Sequence, residues 1–388
     1  MSEVRSRNVH FRNSSCYLAL CLLGIYLSVY QSVVHEIASD FHLSAGMTGL
    51  MISFHFFGSF LLPILLGEAG DRIGSRPVLI FSFLLLIIGL LLAVLGHSAS
   101  IFLLATFLIG GGFSVIEGML TGLLTVANPE RVNAVVNLSQ MYFCLGAVGG
   151  PFVNLAVKAV HFGWRGSFLF LLILFTACFV WLARQQIPPY KAESIKGLYI
   201  KQLLKDHLFL FLLMGIFLYV GVEEGVAFWV GSYIENTLLT KVPSALFLSV
   251  YWLGMALGRW LFSFLQSRYK TWLTAGLVFS GFAVGFFLIT AQPMISLLCL
   301  FLTGFGFAPA WPVLMMYASE RGRNATHTAM GSMMAWGAAG GMVVPFFIGQ
   351  LTEGCGLEKS MFLLLILLLV LILLLLPTAK QIESANQS

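Results

Sequence analysis

Three glutamates stand inside long apolar stretches of this sequence. Glu117 follows a glycine-rich run, and Glu223 and Glu224 are adjacent in another apolar segment. A charged carboxylate is costly in hydrocarbon, which favours the neutral form and makes its proton exchangeable. Glu117 therefore predicts a proton-coupling group, although a permanently neutral carboxyl bonded across a helix pair would leave the same pattern. Glu223 and Glu224 lie about 100° apart around a helix, so we expect them to face different surroundings.

Amide and indole side chains suggest a second kind of chemistry. Asn137 and Gln140 lie three residues apart, on one face of a helix. Their amides both donate and accept hydrogen bonds, which suits sugar hydroxyls, and they could equally bond neighbouring helices. Trp311 and Trp336 sit among glycines and could stack on the apolar face of a sugar.

The segments that carry these residues are membrane-spanning in composition. Of 388 residues, 59% are hydrophobic and 10% are charged, against about 45–50% and 25% in soluble domains. A helix needs about 20 mostly apolar residues to cross a membrane, and it satisfies its own backbone hydrogen bonds there. We predict an all-α membrane protein with twelve transmembrane helices at 16–38, 46–67, 77–96, 100–123, 134–157, 166–185, 207–233, 243–266, 272–291, 294–317, 326–351 and 359–377.

The sequence also predicts two pseudo-symmetric six-helix bundles, at 1–185 and 207–388. The segment 186–206 between them is the one long linker, and its spacing is typical of an amphipathic surface helix. Gly-Ala and Gly-Gly pairs of the fifth helix recur 191 residues later in the eleventh. Duplicated halves place a substrate near the midplane and let the halves rock against each other.

Lysine and arginine predict the orientation. All but four of the 21 fall at the termini and in the loops after even-numbered helices, which predicts a plasma or inner membrane protein with both termini cytoplasmic. This distribution also accounts for the net charge of +5, so no nucleic-acid partner is implied. Arg259 is expected at the cytoplasmic end of the eighth helix, snorkelling or forming a latch.

The loop after the second helix carries the most specific motif. Residues 67–76 read G-E-A-G-D-R-I-G-S-R, which resembles the G-x-x-x-D-R-x-G-x-R signature of the major facilitator superfamily. Small residues let helix ends approach closely, and a carboxylate there can bind a helix N-terminus or an arginine. The resemblance implies a gating role for Gly67, Asp71, Arg72, Gly74 and Arg76, with loop charges that only set topology as the alternative.

Residues 110–118, 137–140, 219–223 and 304–312 resemble the fucose–galactose–glucose proton symporters of this superfamily. The resemblance implies that Glu117 takes part in proton-coupled sugar binding. It also implies that Glu223, with Tyr219 one turn before it, faces the cavity as a second proton-coupling residue. Glu224 is then expected to pair with another side chain or to lie near a helix end.

The first helix departs from that pattern. Gln31 stands where the fucose symporter has an aspartate, so it can bind substrate but cannot carry a proton. His35 and Glu36 could substitute for that aspartate or lie at the outer interface. His55 could titrate near neutrality, or it could be a buried histidine with its hydrogen bonds satisfied.

These features predict a secondary active transporter for proton-coupled uptake of a sugar or similar small polar metabolite by alternating access. We expect no enzyme activity, cofactor or metal, a lipid bilayer around a monomer, and protons and a small-molecule substrate as partners. No Walker-type nucleotide motif is present, which argues against direct ATP drive. Proton-driven efflux of amphipathic drugs or lipids is the alternative, because residues 146–151 match the start of an antiporter motif but lack its following glycine pair.

Overall fold

A computed structural model describes the backbone of residues 2–73, 75–184, 203–238, 240–262, 264, 269–322 and 326–387. Within these ranges the side chains at 2–12, 67–73, 75, 126, 129, 132–133, 269–270, 319, 322, 326–328 and 376–387 lie outside the description. In the described part of the chain, twelve helices are long and apolar enough to cross a membrane.

The first bundle contains six of them: α1 Ser2–Asp40, α2 Ala45–Ile73, α3 Ser75–Leu95, α4 Ala99–Ala127, α5 Val132–Ala159 and α6 Trp164–Ala183. The second contains α7 His207–Tyr233, α8 Ser244–Phe262, α9 Tyr269–Ile289, α10a Pro293–Phe307 with α10b Ala310–Gly322, α11 Thr326–Cys355 and α12 Phe362–Gln387. Two short helical turns, Ile234–Leu238 and Leu357–Ser360, extend α7 and precede α12. The fold is therefore an all-α membrane architecture of two six-helix bundles.

Helix boundaries differ most from the sequence prediction in four helices. The helix of α1 begins at Ser2 and that of α12 runs to Gln387, both well beyond the apolar segments. Helix α2 continues to Ile73, so most of the motif at 67–76 is helical and not a loop. The tenth span is interrupted at Ala308 and Pro309, because proline has no N–H to donate and clashes with the preceding turn.

Close glycine contacts show how the two bundles correspond. A Cβ on Gly58 of α2 would stand 2.0 Å from the carbonyl oxygen of Phe107 in α4, and one on Gly254 of α8 would stand 2.1 Å from that of Phe301 in α10a. Only glycine lets two helix backbones meet this closely. The same contact is therefore built twice, once in each half of the chain.

The register of the repeat was predicted wrongly. Gly58 and Gly254 lie 196 residues apart, and their partners Phe107 and Phe301 lie 194 apart. Likewise Gly146, which meets the backbone of α1, corresponds to Gly340, which meets α7. The predicted spacing of 191 paired Gly146 with Gly337 instead, so the duplication holds but its alignment shifts by three residues here and by five at Gly58 and Gly254.

The two bundles contact each other toward the ends of the helices opposite the chain termini. In α2 and α11, Ser53 donates a 2.6 Å hydrogen bond to the carbonyl of Met342, and Gly49 lies against Phe346. In α5 and α8, Ser249 donates to the carbonyl of Val148 at 3.0 Å. These contacts close that end of the bundle.

The predicted bundle boundaries at 185 and 207 remain a prediction. Most of the linker, at residues 185–202, lies outside the described residues, and so does the amphipathic helix expected there. On its far side, the Asp206 side chain accepts a hydrogen bond from the backbone N–H of Leu208 at 3.1 Å and so caps the start of α7. Arg321 at the end of α10b forms an ion pair with the same carboxylate.

Candidate functional site

Helix α7 brings two acidic side chains into the centre of the molecule. Its middle turns, from Leu218 to Val230, are entirely buried, between α11 and α12 of its own bundle and α1 of the other. The Tyr219 hydroxyl donates a 2.9 Å hydrogen bond to Oε1 of Glu223, one helical turn further on. This contact holds the Glu223 carboxylate at one side of α7.

Arg259 of α8 lies beside that carboxylate. Its Nη2 is 3.7 Å from Oε1 of Glu223, and its side chain is only 3% exposed. Its Nη1 donates to Gln140 of α5, to both the backbone and side-chain oxygens at 3.4 Å, and contacts the Cys144 sulfur at 2.8 Å. The expectation that Arg259 snorkels at a helix end is therefore wrong, since its guanidinium points inward between the bundles.

Glu117 of α4 completes a chain of polar contacts across the bundle interface. The Gln140 amide Nε2 donates to Oε1 of Glu117 at 3.2 Å. From α4 the contacts therefore run through α5 to the guanidinium on α8 and on to the carboxylate on α7. We call this set the polar chain; its members are Glu117, Gln140, Arg259, Glu223 and Tyr219.

A second network ties α1 to the other bundle. The Gln31 amide Nε2 donates to Oε2 of Glu224 at 2.9 Å, while the indole N–H of Trp252 donates to Oε1 of Gln31 at 3.0 Å. All three side chains are buried. Both ends of the Gln31 amide are therefore occupied by protein partners.

The polar chain faces a cavity between the two bundles, with about 690 Å³ of empty space, part of it continuous with the outside. Helices of both bundles line it. The lining residues are Leu27, His55, Phe56, Ser59, Phe113, Ser114, Glu117, Gln140, Phe143, Val220, Glu223, Glu224, Trp252, Arg259, Trp311, Met334, Gly337 and Ala338.

Both glutamates of α7 line this cavity, which corrects the expectation that only Glu223 would. Glu223 faces Arg259, and Glu224 faces Gln31 on α1. A helix angle of about 100° separates neighbouring residues, but the cavity curves around α7 widely enough to include both. The prediction that Glu224 is partnered agrees with its bond to Gln31.

His55 is fully buried on the cavity wall. The Tyr26 hydroxyl lies 3.2 Å from Nδ1, whereas Nε2 has no hydrogen-bond partner among the described residues. The interpretation of a buried histidine with all its hydrogen bonds satisfied is therefore only half right. Gly110 of α4 also packs directly against the backbone carbonyl of His55. This close contact fixes His55 where α2 meets α4.

Several predicted substrate-binding residues lie outside the cavity lining. Tyr219 and Gln31 are buried behind it, where they position Glu223 and Glu224. Asn137 is half-buried near the start of α5, and Trp336 is 39% exposed on α11 beside Phe217. Of the predicted binding residues, Gln140 and Trp311 line the cavity.

The remaining candidates lie at the two ends of the bundle. His35 stands 3.7 Å from Glu235, and Glu36 pairs with Lys158 at 2.6 Å, both at the closed end, where His35 is exposed and Glu36 is partly buried. At the other end, Arg76 donates a 3.1 Å hydrogen bond to the carbonyl of Ala183, where α6 ends. The side chains of Asp71 and Arg72 and the whole of Gly74 lie outside the description, so the gating role of these residues and of Gly67 stays a prediction.

Sequence reasoning missed two residues of the site, Arg259 and Trp252. Arg259 lies three residues before the end of α8 and was assigned to the interface for that reason. A usable signal was its spacing from Trp252, since two residues seven apart lie on one face of a helix. That face of α8 also carries Met255 and is buried.

Two bundles of six membrane-spanning helices, closed at one end around a cavity that both bundles line, define a membrane carrier of the type that moves a solute between the halves of its fold. Residues 16–345 match the Major Facilitator Superfamily, and the chain belongs to that family. Its sequence is 20% identical over 351 residues to the protein TsgA homologue of Yersinia pestis (strain Pestoides F), a match that covers 89% of each chain.

Solved structures share the fold at low sequence identity. A bacterial homologue of the human lysosomal transporter Spinster, in an inward-facing and unoccupied conformation, superposes with a TM-score of 0.77 at 15% identity over 97% of this chain and 98% of that one. The fucose:proton symporter FucP of E. coli superposes with a TM-score of 0.70 at 15% identity over 95% and 98%. The chain is therefore similar to both transporters in architecture.

Proposed function

We propose that this transporter couples proton movement to the uptake of a sugar or a similarly small polar metabolite. The observation that carries the proposal is the position of Glu117 and Glu223. One comes from the first bundle and the other from the second, and both line the same central cavity. A proton taken up there is in contact with both moving halves of the fold.

Glu117 is the first proton-coupling residue of the proposal. Its carboxyl accepts a hydrogen bond from Gln140, and it forms no ion pair among the described residues. An unpaired carboxylate at membrane depth is costly, so protonation there releases free energy. Because Gln140 also contacts Arg259, a change at Glu117 is transmitted to the guanidinium and through it to Glu223.

The lining suits a small polar substrate with one apolar face. Gln140, Ser59 and Ser114 offer amide and hydroxyl groups that can pair with substrate hydroxyls. Phe113 of the first bundle and Trp311 of the second line the same cavity and offer flat apolar surfaces. Ligand sites commonly combine such an apolar lining with a few placed polar groups.

Alternating access supplies the transport step. The bundles meet at the end opposite the termini, and the cavity lies between those contacts and the terminal end. With both termini cytoplasmic in a bacterial inner membrane, as the Lys and Arg pattern predicts, this state faces the cytoplasm. In the proposal the protein works as a monomer, and proton release at this side resets it.

Proteoliposomes that contain the purified chain test the proposal. Uptake of at least one radiolabelled small polar metabolite, screened among neutral sugars and their acids, should accelerate when an inward proton gradient is imposed. Glu117→Gln should abolish that acceleration while it keeps exchange of substrate across the membrane without a gradient. Glu358→Gln, an exposed carboxyl on the turn before α12, is the matched control. If uptake ignores the gradient, or if Glu117→Gln behaves as the unchanged protein, the coupling proposal is wrong.

A second function is favoured by the aromatic part of the wall. Phe56, Phe113, Phe143, Trp252 and Trp311 all line the cavity, which also suits an amphipathic drug or lipid leaving the cell. A strain that lacks the transporter should then become more sensitive to lipophilic toxicants. Unchanged sensitivity across a broad panel, together with gradient-driven sugar uptake, would exclude efflux.

A further inference from the structure

Arg259 places a permanent positive charge on the wall of the central cavity. Its guanidinium stays protonated in proteins, and its side chain is 3% exposed. Protons can neutralise the cavity's carboxyls, but they cannot remove this charge. An anionic partner is therefore required beside Arg259 in every state of the transport cycle in which it stays buried.

The present partners of the guanidinium satisfy it poorly. Its Nε is buried and has no hydrogen-bond partner among the described residues. Its Nη2 lies 3.7 Å from the Glu223 oxygen, which is longer than a hydrogen bond. Its Nη1 contacts to Gln140 are both 3.4 Å, and its short 2.8 Å contact is to the Cys144 sulfur, which is a weak acceptor. A guanidinium is built to hold a carboxylate through two parallel hydrogen bonds, and that arrangement is absent here.

Glu223 is the counter-ion of Arg259, and other ionisable groups surround it on each packed helix. Tyr219 of α7 donates to its carboxylate and Tyr251 of α8 to its backbone carbonyl. Cys144 of α5 contacts Arg259, and Glu117 of α4 and the neighbouring Glu224 line the same cavity. Glu117 and Glu224 are each held by a neutral amide and not by a cation. When Glu223 takes up a proton, Arg259 loses its one ion-pair partner among the described residues.

We propose that the substrate is a small hydroxylated carboxylate, such as a sugar acid, and that its carboxylate replaces Glu223 at Arg259 when Glu223 is protonated. This inference rests on the proposed function and narrows its substrate class. One proton binds the Glu223 carboxylate and one anion binds the guanidinium, so the charge of the cavity is unchanged. The substrate hydroxyls then face Gln140 and the serine hydroxyls of α2 and α4.

Proton binding and anion binding must then favour each other. Protonation of Glu223 frees Arg259 for the substrate, and by thermodynamic reciprocity the bound substrate favours protonation of Glu223. Both ligands enter together and leave together. This linkage is what symport requires, and it gives Glu223 and Arg259 a direct part in coupling beside that of Glu117.

Binding to purified protein in nanodiscs tests the inference. Matched probes differ in the charged group alone: gluconate against glucose, and galactonate against galactose. The acids are ionised at both pH 6 and pH 8, so the pH dependence of their binding reports on the protein. We expect the acids to bind more tightly at pH 6, approaching about tenfold per pH unit for one linked proton. The neutral sugars should bind weakly at both values.

Three variants separate this inference from a structural effect. Glu223→Gln should bind the acids at both pH values without the pH dependence, since it mimics the protonated residue. Arg259→Gln should lose acid binding, while Arg259→Lys should keep part of it. Lys158→Gln, which breaks an exposed ion pair at the closed end, should bind as the unchanged protein does. Retained pH dependence in Glu223→Gln contradicts the inference, whether or not Arg259→Gln folds.

The outcome also distinguishes this inference from the proposed function. If neutral sugars bind and the acids do not, or if no acid binds at pH 6, the substrate class is wrong, yet gradient-driven sugar uptake can still hold. If the acids bind with the expected pH dependence but no uptake responds to a proton gradient, the proposed transport coupling fails. Acid uptake that is driven by the gradient and lost in Arg259→Gln supports both.

Discussion

The Arg259 guanidinium on α8 lies 3.7 Å from the Glu223 carboxylate on α7, and both are almost completely buried. The same guanidinium reaches across the bundle interface to Gln140 on α5. One cation is thus shared between the two halves of the transporter. Any rocking of the bundles changes the surroundings of this pair, so its stability and its role in transport can be measured together.

Glu223→Gln is expected to destabilise the protein more than Arg259→Gln does. The first change leaves a permanent cation buried without its counter-ion, which typically costs about 3–5 kcal/mol. The second leaves a carboxyl that can take up a proton, which limits the loss to about 1–3 kcal/mol. The double variant should be more stable than Glu223→Gln alone. Thermal unfolding in detergent at neutral pH measures all three.

Lys158→Gln serves as the control for that series. Lys158 and Glu36 form an ion pair at the closed end with side chains 47% and 25% exposed, and exposed pairs contribute only about 0–1 kcal/mol. Equal losses for the two single variants at the Arg259–Glu223 pair, with no recovery in the double variant, would show that the two residues do not interact energetically.

The sequence predicts the twelve helices well because the signal is strong and local. Long apolar runs, broken by short charged loops, leave a membrane helix as the one way to satisfy the backbone. The residue-by-residue correspondence of the two bundles was harder to predict from the sequence than the helices were. Glycine pairs recur by chance in a chain with 39 glycines, and only the close backbone contacts at Gly58 and Gly254 reveal the true correspondence.

The site was predicted in part, for a physical reason. A lone carboxyl such as Glu117 is conspicuous in an apolar run because its burial is costly. Arg259 was not recognised, since an arginine near a helix end has a default position at the interface. The direction of its side chain depends on α5 and α7, which lie far away in sequence. The internal repeat does not identify a matching acidic residue in the second bundle. The position 194 residues after Glu117 is occupied by Trp311.

Trp252→Phe is expected to lower stability by about 1–3 kcal/mol, because it leaves the Gln31 oxygen buried without its donor. The indole N–H of Trp252 donates to that oxygen at 3.0 Å, and Gln31 in turn holds Glu224. Phenylalanine keeps most of the ring contact with Phe143, so the lost hydrogen bond is the main effect. Thermal unfolding in detergent measures it.

Trp336→Phe is the comparison for Trp252→Phe. Its indole is 39% exposed on α11, and surface substitutions usually change stability by less than about 0.5 kcal/mol. If both tryptophan variants unfold at the temperature of the unchanged protein, the network of Gln31 contributes nothing to the packing of α1 against the second bundle.

Cysteines at positions 49 and 346 should cross-link α2 to α11 at the closed end. A Cβ on Gly49 would stand 3.0 Å from the Cα of Phe346, so the two backbones lie close together there, and a small outward shift would make room for a disulfide. Oxidation of Gly49→Cys/Phe346→Cys should stop transport by holding the bundles together, and a reductant should restore it. A change in the mobility of the unreduced protein on gels reports the cross-link, and uptake in proteoliposomes reports transport.

Each single cysteine variant controls for that experiment. Full transport in the oxidised, cross-linked protein would mean that the α2–α11 contact does not open during the cycle. That result would contradict rocking about this interface. Transport would then have to proceed by a smaller movement that keeps the α2–α11 contact.

Gly110→Ala should weaken the first bundle, while Gly149→Ala should strengthen the protein. A Cβ at position 110 would stand 1.9 Å from the carbonyl oxygen of His55, whereas one at position 149 meets nothing within 4 Å. Forcing α4 away from α2 should cost about 1–3 kcal/mol or more. An alanine at the open position should gain about 0.5–1 kcal/mol, because glycine is the poorer helix former. Thermal unfolding of the two variants in the same detergent measures the difference.

Gly304→Ala should behave as Gly110→Ala does, because Gly304 of α10a makes the equivalent contact, in which an added Cβ would stand 2.0 Å from the Tyr251 carbonyl oxygen. Stable variants at both positions would refute the close backbone packing on which the repeated architecture depends.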